Sequence, residues 1–366
     1  MNKFIWFDAR CLARFDPTLT SNEYQFNDWF QPHEFNSWPQ HLQSRSRTTV
    51  TPWGITSTIL PLPKFETLSD SFDQVIEGIA HDFVLDVRKR DLKIFLCWSG
   101  GIDSTAILVS LLKVMDNNDI HRLTILLNEH SITENPYFYH TFIKDKIREE
   151  NINSFSIDEY NYDKIVLLDG EGGNQIHGSV GIYKLIISNR AELLDHPWRD
   201  DMQKLKSLIG PSKLILRELT TSADTSPISI DTYYDLLWWA NFDLKFDDVL
   251  IRKTISYTKN LNPKQCQLFY KNHLYRFFAQ DSMQQWSMNT HVDRRILATI
   301  DSKYYFKEYI HKFDRNDFYW NSRHQLQGAH NLSFDRTLIA IDDSWHKYYI
   351  TDGEFRKSLG KLLKRN

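Results

Sequence analysis

From Ser69 to Val87, Phe72, Val75, Ile76, Ile79, Ala80 and Phe83 recur at spacings of three and four, which puts them on one face and predicts an amphipathic helix. Lys93 to Trp98 is then a short apolar run of strand type. It is followed by a Gly-containing loop and a helical run from Thr105 to Met115 that stops at Asp116-Asn117-Asn118. Leu123 to Leu127 predicts a second strand, Tyr137 to Glu150 a helix, and Ser154 to Ile157 a third strand. Lys164 to Leu168 predicts a fourth, running into Asp169-Gly170-Glu171-Gly172-Gly173. Strands that alternate with helices imply an α/β fold with a doubly wound parallel sheet.

This pattern occupies the middle of the chain. Residues 1–65 are rich in Trp, Pro, Asn and Ser, with Trp38-Pro39, Thr51-Pro52 and Pro61-Leu62-Pro63 breaking up short apolar pieces, and they read as an irregular or β-containing N-terminal arm. Residues 66–190 form the α/β domain. Residues 191–366 read as a mostly helical, substrate-side region with helices over Asp231 to Lys245, Gln265 to Met288 and Ser302 to Lys312, and with strand character only at Leu338 to Ile341. The basic tail with Arg356, Lys357, Lys361, Lys364 and Arg365 reads as a solvated helix end.

Composition narrows the class. A chain of 366 residues with 41% hydrophobic and 14% aromatic content buries a substantial core. Its 44 Lys+Arg against 47 Asp+Glu leave a net charge of -3, which gives no electrostatic indication of a nucleic-acid partner. Cys11, Cys97 and Cys266 are too few and too scattered for a disulfide framework or a zinc site, and Cys97 reads as a core residue of its strand. No window approaches the roughly 18 apolar residues of a membrane span. A cytoplasmic protein with no membrane partner is the expectation.

The chemistry concentrates in two loops. Ser99-Gly100-Gly101-Ile102-Asp103-Ser104-Thr105 lies where a buried strand ends and a helix begins, so backbone N–H groups and the helix dipole converge on any anion above them. The glycines let the backbone approach closely. Ser99, Ser104 and Thr105 add hydroxyls, and Asp103 offers a hard oxygen suited to magnesium. The plain structural alternative is a Gly-Gly turn with Asp103 complementing a helix N-terminus; seven consecutive residues in the right flanking context favour a polyphosphate cradle. The G-x-x-x-x-G-K-[ST] pattern and its lysine are absent. The loop instead resembles the signature of the PP-loop, or N-type ATP pyrophosphatase, superfamily. That resemblance implies that the loop binds the β- and γ-phosphates of ATP as leaving group while a substrate oxygen attacks the α-phosphorus.

The fourth strand delivers Asp169-Gly170-Glu171-Gly172-Gly173-Asn174-Gln175-Ile176-His177-Gly178 to the same sheet edge, across the switch point from the first loop. With Gly170, Glu171, Gly172 and Gly178 matching, this segment resembles the G-E-G-x-D-E-x-x-G-G element of the asparagine synthetase synthetase domain. Ser302-Lys303-Tyr304-Tyr305-Phe306-Lys307-Glu308 resembles that family's T-K-x-x-L-R-E helix. The resemblance covers roughly residues 65 to 330. It implies an adenine nucleotide alpha hydrolase-like sheet, with ATP and Mg2+ as cofactors. It also implies binding residues Ser99, Gly100, Gly101, Asp103, Ser104, Thr105, Gly170, Glu171 and Gly172, and magnesium at Asp103 and Asn174.

The chain also departs from that family at several positions. Asn174-Gln175 stand where the family has Asp-Glu, which removes charge from the second loop. In Arg323-His324-Gln325-Leu326-Gln327-Gly328 a glutamine replaces the lysine of the family's R-x-K-x-G element. Lys303, Lys307 or Lys347 remains to supply the positive charge, each with a solvated surface group as its plain alternative. The catalytic set then reads as Asp103, Glu171 and Lys307. Asn2 replaces the exposed cysteine of the glutaminase domain, so glutamine hydrolysis is not expected. The partners implied are a small-molecule or peptide carboxylate and an amine, or ammonia from a separate subunit. Two other readings stand beside this amide ligase: a nucleobase- or RNA-modifying enzyme of the same superfamily, and a nucleotide-binding or regulatory protein with little turnover. Asn128-Glu129-His130-Ser131-Ile132-Thr133-Glu134-Asn135 reads either as pocket lining or as a polar surface connection.

Overall fold

The fold is described from a computed structural model. It covers residues 4–7, 44–46, 60–160, 162–178, 182, 185–186, 188–200, 213–258, 260–298, 301, 303–321, 338–342 and 344–349.

Strand β1 (Phe4–Phe7) comes first, followed by helix α1 (Phe72–Arg90). Ser71 caps α1 in a reciprocal box with Gln74, and Arg88, Lys89 and Arg90 complement the dipole at the other end. All the apolar residues that predict this helix are buried, from Phe72 to Phe83. Then come β2 (Lys93–Cys97), α2 (Ile102–Val114), β3 (Leu123–Leu127), α3 (Glu129–Glu134), β4 (Arg148–Asn151), β5 (Ile165–Asp169) and the short α4 (Gly173–His177). The later part contributes α5 (Lys213–Asp224), α6 (Tyr233–Leu244), α7 (Phe246–Tyr257), α8 (Pro263–Asn272), β6 (Leu274–Arg276) and α9 (Asp281–Asn289). It continues with α10 (His291–Ala298), α11 (Tyr304–Asp314), α12 (Asp317–Asn321), β7 (Leu338–Asp342) and β8 (Lys347–Tyr349).

Five strands in the order β4-β3-β2-β5-β6 form one sheet, and every neighbouring pair is parallel. The class is α/β with a parallel sheet. Both faces are covered, which explains why the central strands are unbroken apolar runs rather than alternating ones. Ile94, Leu96, Ile125, Val166 and Leu168 pack with α1, α2 and α11; Phe95, Cys97, Leu126, Ile165 and Leu167 pack with Ile251, Ile255, Cys266 and Phe269 from α7 and α8. Each such side chain, buried from water, contributes about 1.5–3 kcal/mol. Trp238 and Trp239 are fully buried in α6, as helix packing requires.

Three expectations are corrected. Tyr137 to Glu150 is not one helix: it is a short turn of helix, a π-helical segment over Tyr139–Ile143, and then β4. Asp145, in the left-handed region at φ 60, ends the helical path. The third strand is therefore β4, Arg148-Glu149-Glu150-Asn151, rather than Ser154 to Ile157. Its polar composition concealed it, and Tyr139 and Tyr160 donate to Glu149 and Glu150 at 3.1 and 2.5 Å. Gln265 to Met288 divides into α8, β6 and α9, because Leu274 leaves the helix to pair with Leu167 on β5.

A second sheet, β1-β7-β8, joins the N-terminal strand to the C-terminal hairpin, with both pairings antiparallel. Of the remaining arm, Arg45 is buried: it donates to the carbonyls of Leu60 and Phe242 at 2.8 and 3.1 Å, and its guanidinium lies 4.5 Å from the Phe246 ring centroid. Arg323 to Gly328, Cys11 and the basic tail lie outside the described residues. No helix among the described residues is long and apolar enough to cross a membrane.

Candidate functional site

Strands β2 and β5 are paired in register, Leu96 against Leu168, so their carboxyl ends release the chain at the same level of the sheet edge. After β2 the backbone turns at Gly100, φ +76, where a Cβ would lie 2.2 Å from the Ser131 carbonyl oxygen. Only glycine fits that approach. Gly101 then caps α2 with no side-chain bond, so the first-turn amides are not engaged by a capping side chain. Ser104 and Thr105 are buried with their hydroxyls turned to the loop itself. Ser104 Oγ accepts from Ser99 N at 3.1 Å and donates to Gly101 O at 3.2 Å, while Thr105 Oγ1 accepts from Trp98 Nε1 at 3.1 Å. In this structure these hydroxyls brace the loop, and the Gly101 N–H donates to Ser99 Oγ at 3.3 Å.

The second loop interlocks with the first. A Cβ on Gly170 would lie 3.1 Å from Ser104 N, and one on Gly173 would lie 2.5 Å from Asp103 Cγ. Asn174 is exposed next to this contact, whereas Gln175 is buried and donates to Asn241 Oδ1 at 3.3 Å. Gln175 thus holds α4 against α6 instead of facing the crevice.

Two lysines from the helical half meet the carboxylates at this edge. Lys303 Nζ donates to both oxygens of Asp103 at 2.6 Å, and Lys253 Nζ lies 3.0 Å from Glu171 Oε1. Burial pushes the Asp103 carboxyl up, and Lys303 opposes the rise. Asp169 is buried behind them and accepts from Glu171 N at 3.2 Å. Burial first and the Glu171 charge second hold it above the usual carboxylate range. His177 is buried among Phe72, Trp286, Tyr305 and Phe306, and burial holds its pKa well below the ordinary value.

The structure therefore brings together Ser99 to Thr105, Gly170 to Gly173, Asp103 and Glu171. Lys307 is buried, with Nζ 2.5 Å from Asp301 Oδ2. Lys303, one helical turn earlier, takes the place next to Asp103. Lys347 donates to the Thr258 carbonyl on the β8 side. Lys253 was missed, because nothing in the local pattern of α7 separates it from a surface lysine. The Asn128 to Asn135 segment is α3, capped by Asn128 on Ser131 at 3.2 Å, and it backs the first loop through Ser131 and Glu134. Cys97 is buried in the core, where burial pushes its thiol up to about 12.

Asp103 and Asn174 carry hard oxygens of the kind magnesium takes, Asp103 with both of its oxygens on Lys303, and among the described residues no three His, Cys, Asp or Glu side chains converge to hold a metal by themselves. Set against protein-family models, curated proteins and solved structures, the chain matches none.

Proposed function

We propose that the chain is an ATP-dependent ligase, asparagine synthetase-like but not glutamine-hydrolysing. It adenylates a carboxylate, releases pyrophosphate and passes the acyl group to an amine, on a sheet of the adenine nucleotide alpha hydrolase-like type. One observation carries this reading: the Ser99 to Thr105 cradle and the Gly170 to Gly173 loop interlock at the ends of adjacent parallel strands, with a lysine on each loop's carboxylate.

The first-turn amides of α2 hold the terminal phosphates. Lys303 swings from Asp103 to a phosphate oxygen and offsets the charge that develops as pyrophosphate leaves. Asp103 and Asn174 would hold a magnesium ion carried by the nucleotide, which would supply further charge compensation there. Glu171, steadied by Lys253, accepts the proton that the amine loses on acyl transfer. The carboxylate belongs to a small molecule or peptide, and the nitrogen comes from an amine or from ammonia made by a separate subunit.

A second reading, a nucleotide-binding protein with little turnover, draws on Asn174 and on the closure of Asp103 by Lys303. ATP–pyrophosphate exchange across a panel of carboxylates separates the two. Exchange that depends on a carboxylate and is lost in Asp103→Ala supports the ligase. Unchanged exchange in Asp103→Ala sinks it, and ATP binding with no exchange favours the second reading.

A further inference from the structure

Helix α4 continues the second loop but has only five residues, Gly173 to His177, too few to hold a helical turn by their own hydrogen bonds. The helical half holds it instead, through its carbonyls. Ser287 Oγ of α9 donates to Ile176 O at 2.7 Å, Arg294 Nη1 of α10 donates to the same oxygen, and the Tyr234 hydroxyl of α6 donates to His177 O at 3.3 Å. Asn241 of α6 does more. Its Nδ2 donates to Asn174 O at 2.8 Å and to Gly178 O, while its Oδ1 accepts from Gln175 Nε2 at 3.3 Å. The two carbonyls fix which way this buried amide points, because the opposite orientation would set Oδ1 against two acceptors.

That orientation dictates residue 175. Gln175 is buried and offers Asn241 a donor, whereas a glutamate of the same shape would set a carboxylate against Oδ1. Both residues act on α4, whose first residue, Gly173, is the one where a Cβ would lie 2.5 Å from Asp103 Cγ. We infer that Asn241 and Gln175 are positioning residues that work as a pair: they hold α4 so that Gly173 abuts Asp103, and so set the affinity of the two loops for metal-bound nucleotide. The inference rests on the proposed reading of those loops. It also gives the amide at 175 a use. Restoring the glutamate of the family that this loop resembles would add charge near the metal position, but in this chain it would break the Asn241 contact.

The test is the binding of Mg·ATP and of AMP, by titration calorimetry, to the full chain and to Gln175→Glu, with the melting midpoint of each recorded. Mg·ATP is expected to bind about five- to tenfold more weakly to Gln175→Glu, with AMP affinity unchanged, because AMP brings neither the metal nor the terminal phosphates to Asp103. Mg·ATP bound as tightly or more tightly by Gln175→Glu, whatever its melting midpoint, would overturn the inference. An equal loss for both ligands would also overturn it, because the effect would then not be local to Asp103. Should Gln175→Glu fail to fold, Gln175→Met, which removes the donor and adds no charge, takes its place: a loss confined to Mg·ATP supports the inference, and unchanged affinity overturns it. Because the readout is binding, a chain that holds Mg·ATP without turning it over sinks the ligase reading and still tests this one. If the unsubstituted chain binds no Mg·ATP at all, the reading of the loops itself fails, and this inference fails with it.

Discussion

At the residue scale the site is a set of half-buried charges in close balance. Asp103 sits where a helix N-terminus favours an anion, and Lys303 holds both its oxygens, so its charge is compensated within the chain. Lys303→Met removes that cation and is expected to weaken ATP binding more than tenfold, read by calorimetry, since charge-assisted bonds are among the stronger ones. Asp169 is the opposite case. Its carboxyl is raised to about 6, so below the ordinary carboxylate range it is protonated whether folded or not, and above its raised pKa it is ionised while buried. Asp169→Asn should therefore leave stability unchanged near about pH 3 and raise it above about pH 6, by at most about 3 kcal/mol. Thermal melts across that range check the sign. Asp103 and Glu171 were legible because they lie inside contiguous motifs. Lys303 was legible only as one of three lysines, since its partner lies 200 positions away. Lys253 left no local trace.

At the element scale the two loops work as a pair of interlocked turns, and the glycines carry the fit. At Gly100 the obstruction is backbone at 2.2 Å and φ is positive, so Gly100→Ala is expected to cost about 2 kcal/mol or more and to lower the melting midpoint sharply. At Gly173 the obstruction is the Asp103 carboxylate, which can move. Gly173→Ala is therefore expected to stay folded while ATP affinity falls, because a displaced Asp103 leaves Lys303 and the metal position together; retained affinity in that variant would argue that the loops act separately. The strands behind these loops were readable because a doubly covered parallel sheet demands continuous apolar runs. The edges were not. β4 is polar throughout, and β6, at three residues, is too short to interrupt the helical pattern around it.

At the scale of the molecule, the helical half completes the sheet and its site. It supplies β6 to the sheet, Lys253 from α7 and Lys303 before α11, so the two loops meet these lysines only when both halves are folded together. A ligand that engages both loops should stabilise the whole chain: saturation with Mg·ATP at a hundred times its Kd is worth about 2.7 kcal/mol, visible as a raised melting midpoint. The central claim concerns which phosphate bond breaks, and product analysis decides it. The chain is incubated with ATP, magnesium, ammonia or an amine as acceptor, and a panel of carboxylates bearing 18O, and the nucleotide products are examined by mass spectrometry. The account predicts AMP carrying one 18O from the carboxylate, together with pyrophosphate. ADP and inorganic phosphate, or AMP without the label, would contradict it.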